Sequence, residues 1–291
     1  FYDLDTYITL LQRGQQAGLP VKVGIEMDYV EGKEQVIEQI VHGYPWDFVL
    51  GSVHWIDDWG FDLSEHLKEW DRREVDQAYR DYFRLLGQAI ALGCFNSMSH
   101  PDLIKVMGHM PQDDISDLYE AFARQVAAQP GLCVEISYAG LRKPVGRIYP
   151  ERPLLEACAQ HGIAITTASD AHYVEDIGKD FDQVEALARS CGYTEVMSFT
   201  QRRSTAVPPP RLRREGREVG GEHQVGLEGL DQAPHPGHVL APPFGIGAYL
   251  GLGLFHVGVV PVAPDVHHLV KVSDIAVVPA RQFDPVLLPD G

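Results

Sequence analysis

Residues 21–55 read VKVGIEMDYVEGKEQVIEQIVHGYPWDFVLGSVHW. The opening run, residues 21–29, is rich in Val, Ile and Met and has the character of a buried strand. Residues 33–43 follow with apolar positions at helical spacing, and residues 47–55 return to a β-like run. A strand, a helix and a second strand joined by short connections form a crossover unit, whose strands run parallel.

The same alternation extends outward. On the N-terminal side Leu4, Ile8 and Leu11 have helical spacing, and Gly18 stops the run. On the C-terminal side an amphipathic stretch from about Asp71 to Leu92 ends at Gly93. It is followed by CFNSMSH (94–100), a helix over about Ile115–Ala128, LCVEISY (132–138) and a helix over Arg152–Gln160. IAITTASDAH (163–172), a helix at about Phe181–Cys191 and a last strand TEVMSF (194–199) complete the series. Six strands separated by helices predict an α/β fold with a parallel sheet, either a barrel or an open doubly wound sheet, and periodicity does not choose between them.

This regular pattern occupies residues 1–207, and composition changes beyond it. All four Cys and all four Trp lie before residue 208, whereas the last 84 residues hold 12 of the 20 Pro and 12 of the 28 Gly. Residues 1–207 are therefore expected to be the folded unit and 208–291 a poorly ordered Pro/Gly-rich tail without a function of its own, from out-of-frame or read-through translation. Residues 208–223 (PPPRLRREGREVGGEH) have the composition of a charged, solvated linker. Phe244 to Ala263 is free of charge and long enough to span a bilayer, but its Gly residues, Pro261 and His256 make it a poor spanning helix. The net charge of −17 argues against nucleic acid and anionic membranes as partners. Four dispersed Cys without a CxxC pair suit reduced thiols of a cytoplasmic protein.

The strands end in Glu26, His54, His100, Glu135 and, together, Asp170 and His172. Each has a bland explanation alone: a rim carboxylate, a satisfied imidazole, a residue held out of the helical region by Pro101, a turn cap. In parallel α/β folds, however, ligands bind at the carboxyl ends of the strands, so these side chains are expected to converge there. A mixed carboxylate and imidazole set suits Zn, Mn or Fe ions, and the two oxygens of Glu26 can serve two of them. Asp170 and His172, two apart in an extended segment, are expected on one face. The other histidines, His42, His66, His109 and His161, fall in helical or loop stretches and are read as surface or packing residues.

The motifs GIEMDYVEG (24–32), GSVHW (51–55), SHPDLIKVMGH (99–109), VEISYAGLRKPVGRIYP (134–150) and TTASDAHYVEDIGKDFD (166–182) resemble the PHP (polymerase and histidinol phosphatase) superfamily. The last two are similar to its histidinol-phosphatase branch. The resemblance implies a distorted seven-stranded (β/α) barrel and a metal-dependent phosphomonoesterase that hydrolyses L-histidinol phosphate in histidine biosynthesis. It implies two or three divalent metals held by Glu26, His54, His100, Asp170 and His172, of which Glu26, Asp170 and His172 serve catalysis. It also implies a small phosphate-ester substrate bound through Arg142 and Lys143. Family members carry an H-x-H strand well upstream of the bridging Glu. Only 25 residues precede Glu26 here, so the first βα unit, with its ligands, is expected to be missing.

Overall fold

The structure is a computed structural model that describes residues 4–19, 21–209 and 270–271. Helix α1 (Leu4–Gln16) buries Leu4, Ile8 and Leu11, the positions whose spacing marks it as a helix, and Tyr7 with them. Strand β1 (Gly24–Asp28), helix α2 (Glu34–Gly43) and strand β2 (Phe48–Ser52) form the crossover unit, and the two strands are paired in parallel with Glu26 opposite Leu50.

A small antiparallel hairpin, β3 (Trp55–Ile56) and β4 (Trp59–Gly60), follows β2. The amphipathic stretch expected from Asp71 divides at this point. Ser64–Arg72 is a 3-10 helix, Arg73 and Glu74 are extended, and α3 begins at Val75 and runs to Leu92. Gly93 closes α3 at φ 68°, a conformation that is cheap only without a Cβ. Strand β5 (Ser97–Met98), α4 (Ser116–Ala127), β6 (Cys133–Ser137), α5 (Arg152–Gln160) and β7 (Ile165–Ala168) repeat the unit. Each new strand pairs in parallel with the previous one of the sheet.

The last expected strand departs from the pattern. After α6 (Phe181–Ser190), β8 (Val196–Thr200) folds back on β9 (Arg203–Val207) as a separate antiparallel hairpin. Its two turn residues, Gln201 and Arg202, both have positive φ, the conformation of a tight hairpin turn, and this local pairing takes the place of a sixth parallel strand. Arg202 fastens the hairpin: its backbone N–H donates to the Asp47 carbonyl at 2.7 Å and its guanidinium to the Cys94 carbonyl.

The main sheet has the order β10-β1-β2-β5-β6-β7, where β10 (Val270–Lys271) lies antiparallel on β1 and the other five strands are parallel. Apart from β10 and residues 208–209, the tail lies outside the described residues, as does the uncharged run 244–263. No helix among the described residues is long and apolar enough to cross a membrane. The core runs between the sheet and helices α1 to α5, with Met27, Ile37, Val49, Leu86, Ile90 and Leu154 all buried. A parallel sheet covered in this way is buried along its strands, so a charged side chain on one of them is costly unless it finds a partner.

Candidate metal centre

Glu26 and Asp28 lie on β1, His54 follows β2, His100 follows β5, Glu135 lies on β6 and Asp170 follows β7. Because the strands are parallel and adjacent, these residues come together at one end of the sheet. Glu26, His54 and His100 are all buried and offer ligand atoms that lie within 4.8 Å of one another. His100 Nε2 is 2.9 Å from Glu26 Oε1 and His54 Nε2 is 3.7 Å from the same oxygen, with the imidazole rings edge to face at 5.1 Å.

Asp28 sets the orientation of His54. Its Oδ1 accepts from the His54 backbone N–H at 2.9 Å and lies 3.1 Å from Nδ1. A carboxylate on Nδ1 keeps the proton there and turns the Nε2 lone pair toward Glu26, the arrangement that supports metal-bound histidines. Sequence reasoning passed over Asp28, although it sits two residues from Glu26 and therefore on the same face of the strand.

Burial would drive the His100 imidazolium to lose its proton, but the charge and hydrogen bond of Glu26 together with the charges of Asp170 and Glu135 outweigh it, and the pKa is pushed up to about 9. Burial, with Glu26 and Asp170 adding to it, pushes the neighbouring Glu135 up to about 8 against the opposing influence of His100. Glu135 Oε1 accepts from Ser99 Oγ at 3.1 Å and from the His100 backbone N–H at 3.3 Å. His100 has φ 25° and Asp170 has φ 44°, both outside the regions that non-glycine residues ordinarily adopt. Two non-glycine residues held at positive φ on one rim are the kind of local strain that clusters at functional sites.

The structure corrects the expectation for Asp170 and His172. Strand β7 ends at Ala168 and the positive φ of Asp170 turns the chain, so the pair is not in extended backbone. The His172 side chain is 37% exposed, with Nδ1 3.0 Å from the Asp170 carbonyl oxygen, and it stands outside the buried trio. Asp170 is buried, and its Oδ1 has no hydrogen-bond partner among the described residues. Arg142 fastens this turn: Nη2 donates to the carbonyls of Ser169 at 2.7 Å and Asp170 at 3.1 Å, and Nε lies 3.3 Å from Asp176. Its buried Nη1 has no partner among the described residues, whereas Lys143 is exposed.

The other histidines take packing or surface roles, as the sequence suggested. His66 accepts from the Gly60 N–H at 2.9 Å, His109 stacks on Trp70, and His161 lies 2.9 Å from Glu120. Trp59 is core, while Trp55 with Val30, Asp57 and Asp58 lines a cavity of about 260 Å³.

The donor set fits a divalent transition metal. His54 Nε2, His100 Nδ1 and Asp170 Oδ1 are buried without hydrogen-bond partners among the described residues, and the grouped atoms are one carboxylate and two imidazoles. Fold and site together define an α/β protein with a cluster of side chains that could hold a metal ion at the carboxyl ends of a parallel sheet. The model of the PHP domain matches residues 2–139. The chain is 38% identical over 192 residues to the probable histidinol-phosphatase of Deinococcus radiodurans, covering 65% of this chain and 73% of that one. It is 24% identical over 213 residues to the probable histidinol-phosphatase of Clostridium acetobutylicum, covering 67% and 76%. The chain belongs to the histidinol-phosphatase family of the PHP superfamily.

Among solved structures, the fold is similar to that of histidinol phosphate phosphatase from Lactococcus lactis complexed with zinc, L-histidinol and phosphate. The TM-score is 0.53 at 21% identity, with 68% of this chain and 77% of that one covered. A second likeness is to the putative histidinol phosphatase from Listeria monocytogenes, with a TM-score of 0.53 at 22% identity, covering 60% and 72%.

Proposed function

We propose that this protein hydrolyses L-histidinol phosphate to L-histidinol and phosphate, in a reaction that depends on divalent metal. The observation that carries the proposal is the buried Glu26, His54 and His100 trio at the sheet's carboxyl end, in a chain of this family. Water adds to phosphorus, the ester P–O bond breaks, and the departing alcohol takes up a proton.

Glu26, His54 and His100 would hold the metal, with Asp170 and His172 serving a neighbouring position. The chemistry that such a site supplies when loaded is Lewis acidity toward the phosphoryl oxygens, where the transition state spreads its negative charge. The chain's own residues prepare for that charge. Asp28 holds His54 in the tautomer that leaves Nε2 free to ligate. Arg142 keeps the Asp170 turn in place, and its free Nη1 is the donor we assign to the substrate phosphate, with Lys143 nearby in the chain.

Zn, Mn and Fe suit this donor set better than Ca. We further propose that the sheet belongs to a distorted barrel of the PHP type and that residues 1–207 carry the activity without help from 208–291. Assay of metal-loaded protein against histidinol phosphate and a panel of sugar and nucleoside phosphates tests the reading. Equal or greater turnover of another phosphate ester would transfer the assignment to that substrate.

A further inference from the structure

The GRIYP segment, residues 146–150, has no part in the mechanism so far, yet it places Tyr149 against the metal centre. The Tyr149 backbone exchanges hydrogen bonds with Ser137 at the end of β6: its N–H donates to the Ser137 carbonyl at 2.9 Å, and its carbonyl accepts from the Ser137 N–H at 2.7 Å. The ring is fixed on several sides. Lys105 Nζ stands 5.2 Å from the ring centroid, and the ring meets that of His100 edge to face at 6.3 Å. On another side the chain has Gly140, where a Cβ would lie only 2.8 Å from Tyr149 Cζ.

Tyr149 has no exposed surface, and its hydroxyl has no hydrogen-bond partner among the described residues. The other buried tyrosines differ. Tyr7 donates to the Gly24 carbonyl, Tyr29 to Glu34, Tyr79 to the His109 carbonyl and Tyr82 to the His100 carbonyl, while Tyr138 accepts from the Gly178 N–H. A buried tyrosine hydroxyl ordinarily finds a partner. Apart from burial, what acts on this one is the charge of Asp102 first, then of Asp170 and Asp62, and the Oδ1 atoms of Asp102 and Asp170 are themselves buried without a hydrogen-bond partner among the described residues. A rigidly held, unspent donor therefore stands on the ring that packs against His100, one member of the buried trio.

We propose that the Tyr149 hydroxyl donates a hydrogen bond to a phosphoryl oxygen of the bound ester, which makes it a further catalytic residue. The assignment rests on the phosphatase reading. Burial keeps the phenol protonated across the working pH range, so it acts as a donor and not as a base.

The test is Tyr149→Phe in the full, metal-loaded chain, with inorganic phosphate as the probe in titration calorimetry, alongside metal content and steady-state kinetics. Phe keeps the ring and removes only the hydroxyl, so melting temperature and metal content stay at wild-type values. Phosphate affinity and kcat/KM are each expected to fall about 10- to 100-fold, as for loss of a hydrogen bond to a charged group. Phosphate affinity within twofold of wild type overturns the proposal. So does a loss of phosphate affinity that comes with loss of metal, because the ring would then act through His100. A wild-type chain that binds phosphate but leaves histidinol phosphate intact defeats the substrate reading alone, and the phosphate titration still decides the role of Tyr149.

Discussion

Replacing Asp28 by Asn isolates the support that the chain gives to His54. One oxygen, Asp28 Oδ1, serves both the His54 backbone N–H at 2.9 Å and Nδ1 at 3.1 Å. Asn keeps the shape and an amide oxygen, so the backbone bond survives, but the charge that holds the proton on Nδ1 is gone. Loss of a partner of this kind costs roughly 10- to 100-fold in metal affinity, or about 1.4–2.7 kcal/mol. Asp28→Ala goes further and leaves two buried donors unmet, at about 1–3 kcal/mol each, so it destabilises the fold as well. Competition against a chelator of known affinity measures the first effect and urea unfolding of the metal-free protein the second. Asp28→Asn with wild-type metal affinity would refute the orienting role, and equal unfolding stability of both variants would refute the division between charge and hydrogen bonding.

Three other outcomes follow from the same structure. Gly140→Ala would set a Cβ 1.9 Å from the Arg147 carbonyl oxygen as well as against Tyr149; a backbone atom cannot swing away, so a loss of about 2–3 kcal/mol is expected in denaturant unfolding. Lys105→Met removes the buried ammonium 2.6 Å from Asp102 and strands a carboxylate already pushed toward its neutral form by burial; about 3–5 kcal/mol should be lost, and Lys105→Met with Asp102→Asn should recover part of it. Burial pushes Cys94 up to about 11 and Cys133 and Cys158 up to about 12, so at pH 8 each is protonated and unreactive, and alkylation of the native protein should mark the half-buried Cys191 first. Rapid native-state labelling of Cys94, Cys133 or Cys158, read by peptide mass mapping, would contradict that burial.

The parallel sheet was legible because each strand to helix transition changes the hydrophobic period and ends in a turn residue. Glu26, His54 and His100 were legible because a charged or imidazole group at the end of an apolar run is costly unless it has a purpose. Other features depend on contacts that no linear pattern encodes. The β8 segment has the composition of a sheet strand, yet the conformation of Gln201 and Arg202 pairs it with β9 instead. Asp170 and His172 look like neighbours on one face only while the backbone between them is taken as extended. Asp28 and Tyr149 were missed for different reasons: the first supports a ligand and does not resemble one, and the second matters through what its hydroxyl lacks, which only three-dimensional packing reveals.

The sheet order carries one more consequence. Strands β1, β2 and β5 are successive among the parallel strands and side by side in the sheet, and each delivers one member of the trio. An ion gripping Glu26, His54 and His100 would therefore act as a rivet across three neighbouring strands, tying together a span of 74 residues in sequence. Occupancy of the site then doubles as a mechanical brace for the N-terminal half of the sheet. Amide exchange in β1 and β2 should slow on metal loading, while exchange in α6 and the β8-β9 hairpin should scarcely respond.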